Sequence, residues 1–126
     1  MTTDTISIPV NPELLHGIFV TALEGGIGYW STCHSYRWSK PDTDGEEDLE
    51  NFRAVIREHE DDTKHVIDRA VVLKGLRLAV QPGHVSSEIC EDALADIGAG
   101  DAGGQLDAFG ADAIVQLGLF GEIVYG

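Results

Sequence analysis

Tyr29-Trp30-Ser31-Thr32-Cys33-His34-Ser35-Tyr36-Arg37-Trp38 is the stretch on which the fold turns. It is rich in aromatic and hydroxylated residues and contains neither Gly nor Pro, which favours a β-strand over a helix. Alternation along a strand places Trp30, Thr32, His34, Tyr36 and Trp38 on one face. Tyr29, Ser31, Cys33, Ser35 and Arg37 fall on the other. A second strand is expected at Phe52 to His59, with Phe52, Ala54 and Ile56 on one side and Arg53, Val55 and Arg57 on the opposite one. Between them Lys40 to Glu50 is acidic, with Pro41 and Asp44-Gly45, and reads as a solvated loop. The two strands make a hairpin whose aromatic side needs covering.

The cover comes from the flanking helices. Asn11-Pro12-Glu13 is a helix start: Asn caps, Pro fits the first helical position, and Glu complements the dipole. Leu14, Leu15, Ile18, Phe19, Ala22 and Leu23 continue at helical spacing, and Gly25-Gly26 is a stop, so a helix is expected over about residues 12 to 24. Asp68 is placed to cap a helix to about Val80, with Val72, Leu73, Leu76 and Val80 inward and Gln81-Pro82-Gly83 as its end. Ser86 or Ser87 starts a third helix to about Ile97, with Ile89, Cys90, Ala93 and Leu94 apolar. Asp107 starts a last one, with Phe109, Ala113, Ile114, Leu117 and Phe120 as its buried stripe. Gly118 and Gly121 cost that helix roughly 1 kcal/mol each relative to Ala, and their spacing suits close packing. Short strands at Ile6 to Val10, on a sheet edge because of Pro9, and at Lys64 to Ile67 complete the expectation. Gly98 to Gly104 reads as a loop. The fold class is α+β: one domain over residues 1–126, a short antiparallel sheet built on a central hairpin and packed against three to four helices.

Composition narrows the function. Hydrophobic residues make up 43% of the 126, enough to fill one core. The net charge of −14 sets a field that repels phosphate backbones, so direct nucleic-acid binding is not expected. The charge is also unevenly spread. All eight Lys and Arg residues lie between Arg37 and Arg77, while Leu78 to Gly126 holds eight acids and neither Lys nor Arg. Met1 to Asn11 carries Asp4, no base and no long apolar run, so neither a signal peptide nor an anchor is expected there. No stretch reaches the roughly 18 apolar residues of a membrane span. Cys33 and Cys90 lack metal-finger or CxxC spacing and are expected to be free and partly buried.

Catalytic and cofactor signatures are weak. Gly25-Gly26-Ile27-Gly28 follows a helix and precedes a strand, the reverse of a dinucleotide-binding turn; helix stop and sharp turn is its commoner meaning, close approach of a ligand the other. His16, His34, His59, His65 and His84 lack paired ligand spacing, and the looser His59-to-His65 acidic cluster is most simply solvated. A calcium loop starting at Asp101 is broken by Gly103 and Leu106. Cys33 and His34 point to opposite faces of a strand, and no GxSxG elbow is present. No cofactor and no enzymatic activity are expected. Binding residues are a different matter. Arg37, Arg53 and Arg57 share one hairpin face in the expected register and suit a phosphate or carboxylate, with Tyr29 or Trp38 as a stacking partner. Pairing with neighbouring acids is the simpler fate of these arginines.

Two motifs near the ends, Glu24-Gly25-Gly26-Ile27-Gly28-Tyr29-Trp30 and the run Ile114 to Gly126 (IVQLGLFGEIVYG), resemble those of a group of small tailed-phage proteins of unknown function. They cover about a quarter of the chain. The resemblance implies an origin, with the cytoplasm of an infected bacterial host as the setting, and no chemistry. Three functions fit. The first is an accessory protein that binds and modulates a host protein with a basic surface. The second is a binder that sequesters a small nucleotide-type immune signal. The third is a small homo-oligomeric virion or assembly component, with Leu117 to Tyr125 as the subunit contact.

Overall fold

The computed structural model describes residues 8–99 and 104–126. Its elements are α1 (Pro12–Thr21), a π-helical turn (Ala22–Gly26), β1 (Ser31–Arg37), β2 (Arg53–Glu58), β3 (Lys64–Asp68), α2 (Arg69–Ala79), α3 (Ser87–Ala99) and α4 (Ala108–Phe120). The strands form one antiparallel sheet in the order β1-β2-β3. This is an α+β fold, four helices and a three-stranded sheet packed together. Of the strand expected at Ile6 to Val10, Ile6 and Ser7 lie outside the described residues and Ile8 to Val10 are not in a strand. The loop expected at Gly98 to Gly104 lies outside them from 100 to 103, and α3 includes Gly98 and Ala99. No helix among the described residues is long and apolar enough to cross a membrane.

The local start signals hold. Asn11 Oδ1 accepts from the Glu13 amide at 2.9 Å, Asp68 from Val71 at 3.0 Å and Asp107 from Gly110 at 3.0 Å. Each satisfies an amide that the helix itself leaves without a partner. Ser86 does the same for Ile89 at 3.3 Å. The stop after α1 differs from the expectation. The helix widens into the π-turn and ends at Gly26.

The inner face of the sheet is that of Ala54, Ile56 and Ile67, all buried against the helices, with Phe52 just ahead of β2. The outer face, with Arg53, Val55, Arg57 and Val66, has no helix over it. β1 departs from simple alternation. Cys33 pairs with Ile56 and Ser35 with Val55, so His34 is an extra residue, a bulge. The bulge transfers Ser35 and Arg37 to the outer face while Ser31 and Cys33 stay on the inner one. The expected aromatic face of this strand therefore does not form. Trp30 is buried, Trp38 is half-buried, and Thr32, His34 and Tyr36 are exposed. β1 is an edge strand, and only Ser31 along it is buried. Cys33 is exposed and Cys90 half-buried, and both thiols are free. Burial of the sulfur pushes the Cys33 thiol pKa up all the same.

The acidic loop continues the hairpin instead of leaving it. The Asp48 amide donates to Trp38 O (3.0 Å), Ser39 bridges Glu47, and the Lys40 amide donates to Glu46 O (2.7 Å). Lys40 Nζ also reaches Glu46 Oε1 at 3.0 Å. The loop is exposed except at buried Asp48 and half-buried Leu49, and these hydrogen bonds tie it locally.

α4 runs through the centre and packs on α1, the π-turn, α2, α3 and β3. Every residue from Gly110 to Gly118 is buried. Phe109, expected on the buried stripe, is instead 80% exposed at the first turn of the helix. α2 and α4 meet at Gly75 and Gly118. A methyl on Gly75 would overlap the carbonyl of Ile114, and one on Gly118 would overlap the carbonyl of Val71. Gly121 then ends α4 in the left-handed conformation, φ 76°. Alanine at Gly75 or Gly118 gains about 1 kcal/mol of helix propensity but forces the two backbones apart. Each substitution is expected to destabilise by about 2–3 kcal/mol in urea unfolding. Gly98→Ala, whose methyl meets open space, is expected to be neutral or stabilising. Equal stability of Gly75→Ala and the parent would refute this packing.

Candidate functional site: an apolar cleft over a buried carboxylate

The two end motifs meet. Gly26 packs so tightly on the start of α4 that a Cβ there would lie 3.0 Å from the Ala108 carbonyl oxygen. At this glycine the close approach is that of another backbone, and no ligand is needed to explain it. Tyr29 and Trp30 then reach across to α4. Asp112, 7% exposed, accepts from the Tyr29 hydroxyl at 2.6 Å, from the Trp30 indole N–H at 2.8 Å and from Gln116 Nε2 at 2.9 Å. Three donors on one carboxylate make its burial tolerable.

Gln116, one turn on, latches the C-terminal tail. Its Oε1 accepts from the amides of Val124 and Tyr125, both at 2.8 Å, and its Nε2 donates to the Tyr125 carbonyl at 3.1 Å. The Tyr125 ring stacks on Trp30 with centroids 5.1 Å apart and planes 8° from parallel. Its hydroxyl donates to buried Glu58 at 2.5 Å, and His65 Nε2 lies 2.7 Å from the other Glu58 oxygen. That hydrogen bond, followed by burial and the charge of Glu58, pushes the Tyr125 pKa well above the usual tyrosine range.

These contacts leave a cleft of about 670 Å³ between the π-turn, the start of α3, the first half of α4 and the tail. Val85, Ile89, Phe109, Ala113 and Ile123 supply apolar wall; Tyr29, Asp112 and Gln116 supply the polar floor. The volume is in the range of ligand and anchor pockets, about 300–1,000 Å³. Because the floor's polar atoms already have partners, the cleft offers mainly apolar contact. Tyr29 is 56% exposed, Ile123 41% and Phe109 80%, which makes the rim an exposed apolar patch.

The residues expected to bind ligand are divided. Tyr29 belongs to this cleft. Arg37 and Arg53 sit opposite each other in the β1–β2 ladder, and Arg57 lies on the same outer face, opposite Thr32. Arg57 Nη1 pairs with Asp62 at 2.9 Å, and Arg37 reaches Asp48 at 3.4 Å. Trp38 packs on Tyr36, ring centroids 4.4 Å apart, and its carbonyl accepts from His16 Nε2 at 2.7 Å. Tyr29 and the arginines therefore do not share a site. Phe109 and Asp112 were missed as cleft residues, although each lies on the last helix. The pairing of Asp112 with Tyr29 spans 83 positions and leaves no local signal. Among the described residues no group of three His, Cys, Asp or Glu side chains is placed to hold a metal.

With this geometry in view, comparison with known proteins adds no relative: no family model, curated protein or solved structure matches the chain.

Removing the carboxylate tests the floor. Asp112→Ala leaves the buried Trp30 indole N–H and the Tyr29 hydroxyl without their acceptor, at about 1–3 kcal/mol each, and is expected to cost about 3 kcal/mol by denaturant unfolding. Asp112→Asn keeps an acceptor and is expected to cost less than half of that. If both substitutions are neutral, the network is not what holds the tail.

Tyr29 gives a spectroscopic check. Burial of its hydroxyl end, then the hydrogen bond to Asp112 and that carboxylate's charge, push its pKa from 10.0 up to about 12. The fold thus favours the neutral phenol. This stabilisation is complete below the unfolded pKa of about 10 and is lost as pH rises through about 12. An ultraviolet phenolate titration, with circular dichroism to follow unfolding, should show a step near pH 12 that is absent from Tyr29→Phe. A Tyr29 that ionises at the ordinary value would contradict the Asp112 contact.

Proposed function

We propose that this protein acts without catalysis, by docking a basic partner protein whose apolar side chain enters the cleft beside Phe109. The observation that carries the reading is an apolar cleft with an acidic frame. Each segment that lines it has an exposed acid next to a lining residue: Glu24 before Gly25, Glu88 before Ile89, Asp107 before Ala108 and Glu122 before Ile123. No Lys or Arg occurs in residues 1–36 or 78–126, so none lies in any of these segments. A partner that presents Leu or an aromatic residue flanked by Lys and Arg matches such a surface in both shape and sign. Aromatic anchors at the centre of a docking patch commonly carry most of the binding energy. The acids around it speed encounter and make it salt-sensitive. The resemblance of the two end motifs to tailed-phage proteins supplies the setting, an accessory protein that modulates a host protein in the bacterial cytoplasm.

A photo-crosslinking residue at position 109, used in host lysate, tests this reading, with one at exposed Leu94 on α3 as the control. Adducts at 109 are expected on one basic protein, to fall with added salt, and to be competed by unmodified protein but not by its Phe109→Asp variant. Adducts made solely with second copies of the chain would point to self-association instead. A position-109 pattern no different from that at 94 would reject the cleft as the docking site.

A further inference from the structure

A second cleft, of about 560 Å³, lies where the sheet meets the start of α2, and it shares no lining residue with the first. Arg37, Arg53 and Arg69 line it, with Glu50, Asp68 and Leu73. The ladders create this grouping. Arg37 is directly opposite Arg53 across β1–β2, and Arg53 is directly opposite Asp68, the residue before Arg69, across β2–β3. Like charges directly opposed on a sheet destabilise it. Acids outnumber bases 22 to 8 in this chain, so partners are abundant. Yet the guanidinium groups of Arg53 and Arg69 form no hydrogen bond or ion pair with any described residue, while Arg37 Nη2 reaches Asp48 at 3.4 Å and donates to the Asn51 carbonyl at 3.2 Å. One oxygen of the Asp68 carboxylate, Oδ1, accepts from the Val71 amide at 3.0 Å, and no hydrogen bond or ion pair joins this carboxylate to Arg53 or Arg69. Three guanidiniums are therefore gathered in one cleft, two of them without acid partners.

We infer that this cleft binds the phosphate group of a small phosphorylated organic molecule. A phosphomonoester carries about −1.5 to −2 charges at neutral pH and offers three acceptor oxygens, which suits several guanidinium forks better than a singly charged carboxylate does. The cleft is much larger than a phosphate ion, and Leu73 gives an organic body an apolar wall. The chain's overall negative charge opposes such a ligand only weakly at physiological salt. Charges more than about 8–10 Å away are largely screened, while guanidiniums in contact are not. Arg69 completes the set and replaces Arg57, which is turned to Asp62.

Isothermal titration with a nucleoside monophosphate, a hexose phosphate, the parent nucleoside and inorganic phosphate decides the matter. At least one phosphomonoester is expected to bind at least about tenfold tighter than both the nucleoside and inorganic phosphate, and inorganic phosphate is expected to compete with it. Arg53→Gln and Arg69→Gln, at exposed positions and checked for folding by circular dichroism, should each weaken that binding by about tenfold or more, the loss typical of a charged hydrogen bond. Lys74→Gln, on α2 outside the cleft, and Phe109→Asp, in the other cleft, should leave it unchanged. Absence of phosphomonoester binding at millimolar concentration overturns the inference, as does wild-type affinity in both arginine variants. Inorganic phosphate binding as tightly as the phosphomonoesters overturns it in favour of a simple anion site.

Discussion

Gly75 of α2 and Gly118 of α4 touch the opposite helix so closely that neither position has room for a methyl group. This contact lets α4 sink between α2, α1 and the π-turn, so that the nine-residue stretch from Gly110 to Gly118 is buried. A helix buried on all sides has no wet face for polar residues, yet this one carries Asp112 and Gln116. Both must find partners inside the protein. Asp112 draws Tyr29 and Trp30 to it, and Gln116 draws the tail. The polar hub is thus a consequence of the close helix packing, and the cleft is the space left between the groups it gathers.

The same arrangement separates two kinds of surface. Around the apolar cleft the framing segments carry acids and no Lys or Arg. On the outer face of the sheet, which no helix covers, the ladders gather arginines. A single net charge conceals this division. Long-range attraction to a basic partner and local attraction to an anion are compatible in one small domain, because salt screens the first over roughly 10 Å while the second acts in contact.

Much of the architecture was legible in local chemistry. Asn11, Asp68 and Asp107 cap the helices they were expected to cap, since a side chain that meets an amide two or three residues ahead depends on little else. The hairpin and the outward side of Arg53 and Arg57 were legible as well, because the apolar side of β2 fixes which way its other residues point; Arg37 joins them only through the bulge. His34 defeated the reading of β1: a bulge adds one residue and exchanges the faces beyond it, and nothing in a run of alternating residues marks where that happens. Phe109 was misplaced because a helical stripe presumes one dry side. The middle of α4 is buried on every side, and Phe109 in its first turn lies on the rim of the cleft.

The candidate sites were legible only in part. Tyr29 lines one cleft and Arg37 and Arg53 line another, and Arg69 joins Arg53 only through the β2–β3 ladder and the cap that follows it. What the amino-acid order determined by itself was the helices and the β1–β2 hairpin, the capped helix starts, the dry side of β2 and the uneven distribution of charge. Those properties arise between residues a few positions apart. The tertiary structure decided that Asp112 would meet Tyr29, that the tail would be latched by Gln116 and that the arginines would share a cleft. Such contacts join distant parts of the chain, and they exist only once the backbone has closed on itself.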